Sequence, residues 1–274
     1  MATLAFKNLE WNLNQSQYPN ETDHLPLMKA LEPVLMILAV YLLFVLKIGP
    51  AFMRKREAYK LTNTLLVYNI IQVAISAFLV KTYFQDLWST GLVPKTCHME
   101  RVEDRKYIVT HMYFYFAAKI TELLDTVFFV LRKKDNQVTF LHLYHHTCMV
   151  LGTFATLKYF PSHNLLFIGF INSLVHVFMY TYYGLAALGP NVAKYLTWKK
   201  YMTSFQLVQF VSIIAHHICA VKISDCPPSS GINTFISCNT FFFLILFSNF
   251  YRKSYKKPKT SGKSIENYQK DKSQ

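Results

Sequence analysis

Three imidazoles fall within five residues of this 274-residue chain: His142, His145 and His146, in the run HLYHH. On a helix, positions i, i+3 and i+4 share one face, so the three rings converge. Neutral imidazole is a nucleophile, a proton carrier near neutral pH and a common metal ligand. Other costly groups recur at helical intervals. Lys119, Glu122 and Thr126 form one set, with Asp125 beside it; Asn172, His176 and Tyr180 form a second; Thr203, Gln206 and Gln209 form a third. Each set sits in an otherwise apolar run, and each has a plainer reading. Asn172 and Gln209 can bridge helices, Lys119 can simply neutralise Glu122, and His111 or the His216-His217 pair reads as packing. For the HLYHH cluster that reading fails, because three imidazoles need partners that lipid does not supply.

The elements that must hold these groups are membrane helices. Hydrophobic residues make up 52% of the chain and charged residues 16%, against roughly 25% charged in a soluble domain. A spanning helix needs about 20 mostly apolar residues, and seven stretches approach this: Leu27–Leu46, Leu61–Val80, Tyr107–Leu131, Asn136–Leu157, Leu165–Leu188, Tyr201–Val221 and Ile232–Tyr251. The first is the weakest, with Lys29, Glu32 and Pro33 crowding its start. The expected fold is therefore all-α and integral to the membrane, with seven spans. No cleavable signal peptide is expected, since the first 24 residues are polar, and the first apolar segment should stay as an anchor. Residues 1–25 form an N-terminal segment, 26–252 the membrane domain and 253–274 a basic tail. The net charge of +14 is not a nucleic-acid footprint, because the basic residues lie in short clusters between apolar runs, as in loops facing anionic headgroups.

Orientation follows from Lys and Arg. With the N-terminus in the lumen and the C-terminus in the cytosol, the cytosolic segments hold about twice as many Lys and Arg as the lumenal ones. They include Arg54–Arg56, Arg132–Lys134, Lys194, Lys199, Lys200 and the tail. Two sequons, at Asn14 and Asn20, then fall in the lumen. So do Cys97 and Cys226, where a disulfide can persist; two free thiols are the alternative. The tail ends KDKSQ, with Lys270 and Lys272 placed like a dilysine retrieval signal, which implies a multi-pass protein of the endoplasmic reticulum.

With this topology, depth can be counted at about 1.5 Å per residue. Glu122 and Asp125 lie about 10–15 Å from the cytosolic end of their helix, the three histidines about 12–18 Å, His176 about 20 Å, and Gln206 and Gln209 about 9–13 Å. Four helices thus place their most polar side chains in one slab, which predicts a polar cavity open to the cytosol. Several chemistries would fit it. Membrane di-iron desaturases and hydroxylases also use HxxHH boxes, but need about eight histidines, and only four share the slab; a zinc site from four remains open. A seven-helix receptor would not need its polar cluster near the cytosolic face. A transporter would more often show repeated halves, and none is apparent.

Four blocks narrow the choice. KITELLDTVFFVLRKK (Lys119–Lys134), QVTFLHLYHH (Gln137–His146), NSLVHVFMYTYYGL (Asn172–Leu185) and TSFQLVQF (Thr203–Phe210) resemble, in order and spacing, the signature blocks of the ELO-type very-long-chain fatty acid elongases, and most closely the animal members. The resemblance implies a helical barrel of the second to seventh spans around an acyl tunnel, with the first span outside. It implies condensation of malonyl-CoA with a long-chain acyl-CoA to give 3-ketoacyl-CoA, CO2 and CoA, with CoA thioesters as substrates and no cofactor or metal. By the same resemblance His145 is the nucleophile and His176 the second residue of the reacting centre. His142 and His146 orient ligands and stabilise charge, and Glu122 and Asp125 hydrogen-bond imidazoles. Cys148, three residues from His145, is the weaker candidate nucleophile. Arg132, Lys134 and Lys199 would meet the CoA phosphates, with Lys134 preferred to Lys133 on the assumption of an extended link. Gln137, Thr203 and Gln206 would line the neck, with Lys119 and Asn172 deeper. Besides its substrates and membrane lipid, the expected partners are the reductases and dehydratase of the elongation cycle; a homodimer is an open alternative.

Overall fold

The computed structural model describes residues 16–93, 98–224 and 230–255. The Cys97–Cys226 pair, Asn14 and the dilysine-like tail lie outside them. Among the described residues the chain is helical throughout, without a strand, as a backbone in lipid requires: only internal hydrogen bonding satisfies its polar groups there. Eight helices matter here. We label them α1 (Glu32–Met53), α2 (Thr62–Thr90), α3 (Val102–Thr121), α4 (Leu124–Leu131), α5 (Phe140–Tyr159), α6 (Leu166–Ala187), α7 (Lys199–Ile223) and α8 (Ser230–Tyr255).

Five of them (α1, α2, α6 with the short turn before it, α7 and α8) are long and apolar enough to cross a membrane, the pattern of a multi-pass protein. The remaining two expected spans are helical as well. Their composition falls short because α3 carries Glu103, Asp104, Arg105, Lys106 and Lys119, and α5 carries three histidines and Lys158.

Several boundaries depart from expectation. The first helix begins at Glu32 and not at Leu27, because Pro33 occupies the first turn, where its missing N–H costs nothing. The second runs on past Lys81, where the charge-free run ends, to Thr90: Lys81 is exposed, and Asp86 further on accepts a hydrogen bond from His111 Nδ1 at 2.9 Å. The third is not one helix. It breaks at Glu122–Leu123, where the Leu123 N–H reaches back only three residues, to Ile120. The Thr121 carbonyl left at the break accepts from Tyr68, and Gln72 donates to its hydroxyl at 3.0 Å. The link between α4 and α5, expected to be extended, is compact. Lys133 takes a left-handed φ of 53° and Asp135–Gln137 forms a 3-10 turn, so alternation gives no ground for choosing Lys134 over Lys133. Thr139 then caps α5, accepting from the His142 N–H at 3.3 Å.

The longest shared interface joins α2 and α6. A Cβ added at Gly169 would lie 2.5 Å from the Tyr83 ring, so glycine is what lets α6 close onto that ring. Further packed pairs are α2–α3, α3–α5, α5–α8, α8–α7 and α7–α6. Helix α1 packs instead on α4, where a Cβ at Gly49 would meet Val130 at 2.7 Å.

Candidate active site

The break between α3 and α4 builds the polar centre. Lys119, one turn before it, is fully buried, and its ammonium donates to both oxygens of Glu122, at 2.8 and 3.0 Å, and to Asn172 Oδ1 of α6, at 2.7 Å. Tyr115, one turn further back, donates to the same Asn172 oxygen at 2.8 Å. All three ammonium protons are thus used inside the protein, which is what a charge buried away from water requires. Glu122 Oε1 also lies 3.1 Å from His176 Nδ1. That is an ion-pair distance, but the ring's N–H direction misses the oxygen, and Nδ1 forms no hydrogen bond. The carboxylate and the imidazole are in polar contact without a formed hydrogen bond.

Past the break the chain has turned, and Asp125 and Thr126 meet other partners. Tyr180 donates to Asp125 at 2.8 Å. Thr126, fully buried, links Tyr41 of α1 (2.7 Å) to His142 Nε2 of α5 (2.9 Å). The two carboxylates thus meet different partners: Glu122 approaches His176, whereas Asp125 accepts from a tyrosine, because the helix breaks between them. Thr126 partners a histidine in its place.

The HLYHH rings do form one group. The centroids of His142 and His146 are 4.3 Å apart, and those of His145 and His146 are 5.4 Å apart. His146 is buried while His145 is only half-buried. No described residue hydrogen-bonds the His145 ring. It lies against Phe243 of α8, centroids 5.3 Å apart. No group of three or more His, Cys, Asp or Glu side chains in metal-ligand geometry occurs among the described residues.

His145 faces a cavity of about 120 Å3 whose walls are almost wholly apolar. Six helices contribute to it: Tyr83 from α2, Met112 and Tyr115 from α3, and Ile168 and Asn172 from α6, then Gln209, Phe210 and Ile213 from α7 and Phe235 to Phe243 from α8. Along α5 the lining runs His145, Cys148, Met149, Gly152, Thr153 and Thr156. That stripe follows helical periodicity for eleven residues, about 16 Å. None of the lining residues belongs to α1 or α4. At the His145 end, Asn239 accepts from Tyr144 at 2.8 Å and from the Cys148 thiol at 3.4 Å.

Other expected site residues stay apart from this centre. Lys134, Gln137 and Lys199 are exposed, and Arg132 and Gln206 half-buried. Thr203 is buried and meets the Lys199 carbonyl and the Tyr255 hydroxyl, each at 3.4 Å. No hydrogen bond or ion pair among the described residues ties these six to the histidines; they ring the end of the bundle where α5 and α7 begin. Tyr115, Tyr41 and Asn239 were not anticipated. Tyr115 had a signal, four residues before Lys119 on the same face. Asn239 had none that set it apart from Asn233 and Asn249 of the same helix. Tyr41 had none. His216 and His217 are buried packing groups, as expected: His216 stacks on Phe167 at 4.3 Å and binds the Leu92 carbonyl at 2.7 Å.

Comparison with known proteins gives a consistent match. The model of the ELO family, described as GNS1/SUR4, matches residues 26–263. A very long chain fatty acid elongase 4 of Macaca mulatta is 37% identical over 260 residues, covering 94% of this chain and 81% of its own length. A very long chain fatty acid elongase 7 of Drosophila melanogaster is 38% identical over 241 residues, covering 87% of this chain and 73% of its own length. One of Rattus norvegicus, also an elongase 7, is 36% identical over 244 residues, covering 88% and 87%.

Proposed function

Since the chain belongs to the ELO (GNS1/SUR4) family, whose members here are fatty acid elongases, we propose that it is the condensing enzyme of elongation, a very-long-chain 3-oxoacyl-CoA synthase. The observation that carries this reading is the junction at His145. An imidazole that no described residue hydrogen-bonds lines an apolar cavity, and the same cavity reaches Asn172 and Tyr115, which belong to the buried Lys119 network. A long acyl chain needs the first, and carbonyl chemistry the second.

The reaction divides into two steps. In the first, a ring nitrogen of His145 attacks the acyl-CoA thioester. The C–S bond breaks, CoA leaves with the imidazole proton, and the acyl group rests on the ring. In the second, malonyl-CoA loses CO2, and the electron pair of the broken C–C bond stays as an enolate. Its carbon attacks the acyl carbonyl, the C–N bond breaks, and the departing ring nitrogen takes one proton from solvent, replacing the one that left with CoA, as 3-ketoacyl-CoA leaves. Charge appears on the enolate oxygen and the tetrahedral oxygen, where fixed donors in a dry site act most strongly. His176, in contact with Glu122, and His142, fixed by Thr126, supply such donors, and His146 backs His142. Lys119 and Asn172 tie α3 to α6 beneath them.

The contact order α2–α3–α5–α8–α7–α6 and back to α2 closes on itself. It supports a barrel of six spans around the acyl chain with α1 outside, hence seven spans if α3 with α4 counts as one. The basic end is then cytosolic, where Arg132, Lys134 and Lys199 bind CoA phosphates and Gln137, Thr203 and Gln206 line the neck. The N-terminus is lumenal, the location is the endoplasmic reticulum, and the product passes to the reductases and dehydratase of the cycle.

The test uses the full chain purified in detergent with acyl-CoA and labelled malonyl-CoA. Labelled 3-ketoacyl-CoA is expected, falling at least a thousandfold in His145→Ala. Labelled CO2 release without a 3-ketoacyl product, or full turnover by His145→Ala, would overturn the proposal.

A further inference from the structure

Along the α5 wall of the cavity, one position lacks a side chain. Gly152 lies seven residues, about 10 Å, beyond His145. A Cβ built on it meets nothing within 4 Å, although the residue lines the cavity. Helix geometry gives no reason for glycine here. Its backbone is helical, and glycine in a helix interior is disfavoured relative to alanine. Packing gives none either, unlike Gly169 and Gly49, which admit a neighbouring helix. What the missing side chain leaves is cavity space.

Further along, the cavity ends. Thr156, Leu165, Met112 and Tyr83 line it there: Thr156 from the last turn of α5, Leu165 from just before α6, Tyr83 from the last third of α2 and Met112 from midway along α3. Tyr83 is the fixed part. It is 1% exposed, its hydroxyl donates to the His111 carbonyl at 3.0 Å, and its ring is set against Gly169. Beyond it lies a polar recess lined by Asp86, Glu103, Asp104, His98 and His163. A methyl terminus pushed past Tyr83 would leave apolar walls for carboxylates and water, losing about fourfold in affinity per methylene.

The geometry points to Gly152 and Tyr83 as the residues that set acyl-chain length. Tyr83 is the floor against which the terminal methyl stops. Gly152 is the clearance that lets the chain pass the midpoint of the cavity and reach that floor. This rests on the proposed condensing activity and assigns the length selection to two named positions.

The experiment is a ladder of saturated acyl-CoA lengths with the full-length protein, comparing wild type, Gly152→Leu and Thr156→Leu by product profile. Leucine at 152 blocks the bore about 10 Å from His145, and leucine at 156 about 16 Å. Both variants should raise the ratio of short- to long-chain turnover. Gly152→Leu should raise it at least tenfold and move the optimum further toward short chains than Thr156→Leu does. Tyr83→Ala should move it the other way. An unchanged length profile in Gly152→Leu, a uniform loss at all lengths, or a larger shift from Thr156→Leu would overturn the assignment. If Gly152→Leu does not accumulate, Thr156→Leu alone decides it: no shift toward shorter chains overturns it. Failure of the wild-type protein to condense any acyl-CoA would instead overturn the reading of the activity itself.

Discussion

Replacing Glu122 by glutamine changes one atom type in a side chain that is 2% exposed, and the consequence can be worked out from its contacts. Oε1 accepts from the Lys119 ammonium at 2.8 Å and faces His176 Nδ1 at 3.1 Å; Oε2 accepts from the same ammonium at 3.0 Å. In Glu122→Gln an NH2 group must replace one of these oxygens, and in either orientation it faces the ammonium. Lys119 keeps its charge, its bond to Asn172 and nothing anionic within hydrogen-bond reach. Removing one partner of a buried ion pair costs about 3–5 kcal/mol. At about 2–4 °C per kcal/mol for a chain of this size, the apparent melting temperature in detergent should fall by roughly 6–20 °C. The double variant Lys119→Met/Glu122→Gln separates fold from chemistry. With both charges gone, and Asn172 still bonded to Tyr115, most of the stability should return. Turnover should stay at least tenfold below wild type, because His176 still lacks its carboxylate. Thermal unfolding and 3-ketoacyl-CoA formation are measured on the same samples. An unchanged melting temperature in Glu122→Gln would refute the buried pair, and wild-type turnover in the double variant would refute the role of Glu122 at His176.

Lys158 is fully buried and donates to the Met28 and Lys29 carbonyls at 2.7 and 2.8 Å. Lys158→Met leaves both acceptors unpaired, at about 1–3 kcal/mol each, so limited proteolysis should cut within residues 17–31 faster than in wild type; equal rates would show that the lysine does not hold this segment. Neutralising Lys134 and Lys199 together should raise the KM for both CoA substrates a few-fold at low salt with little change in kcat. The difference should shrink as added salt screens the exposed charges, and a salt-independent effect would place these lysines outside the CoA site.

Much of the site could be read from spacing. Lys119 with Glu122, and His142 with His145 and His146, lie three or four residues apart, and helices bring such pairs together whatever else surrounds them. One contact between different helices also joins two of the spaced sets: Asn172 of α6 meets Lys119 of α3. Reading failed where a backbone event intervened. Asp125 is three residues from Glu122 and belonged to its face only if the helix ran on. The break at Glu122–Leu123 depends on Tyr68 and Gln72, some fifty residues earlier, which bind the freed carbonyl and the hydroxyl of Thr121. Those partners cannot be inferred from residues 119–134. The same holds for Tyr41, which reaches Thr126 from a helix outside the six that line the cavity. Pair contacts of this kind leave no periodic trace in a single sequence.

The helices that fall short as apolar spans are the ones that carry Lys119 and the HLYHH histidines, and the two facts have one cause. A hydropathy window measures composition and is blind to direction. Helix α3 fails by that measure partly through Lys119, yet the ammonium meets Glu122, Asn172 and the face of the Tyr115 ring and no lipid. Helix α5 fails through its histidines and Lys158, whose polar atoms point to Thr126, the cavity or the Met28 carbonyl. A polar side chain satisfied inside the bundle costs the membrane nothing, so the lipid-facing surface of these helices can be as apolar as that of α2. Direction also explains why the site tolerates so many ionisable groups. Lys119 with Glu122, Asp125 with Tyr180, and Lys158 with the Met28 and Lys29 carbonyls are paired inside the bundle, and breaking such a pair would leave a charge where no water can reach it. The same contacts that keep α3, α5 and α6 together thereby hold the imidazoles at the mouth of the cavity.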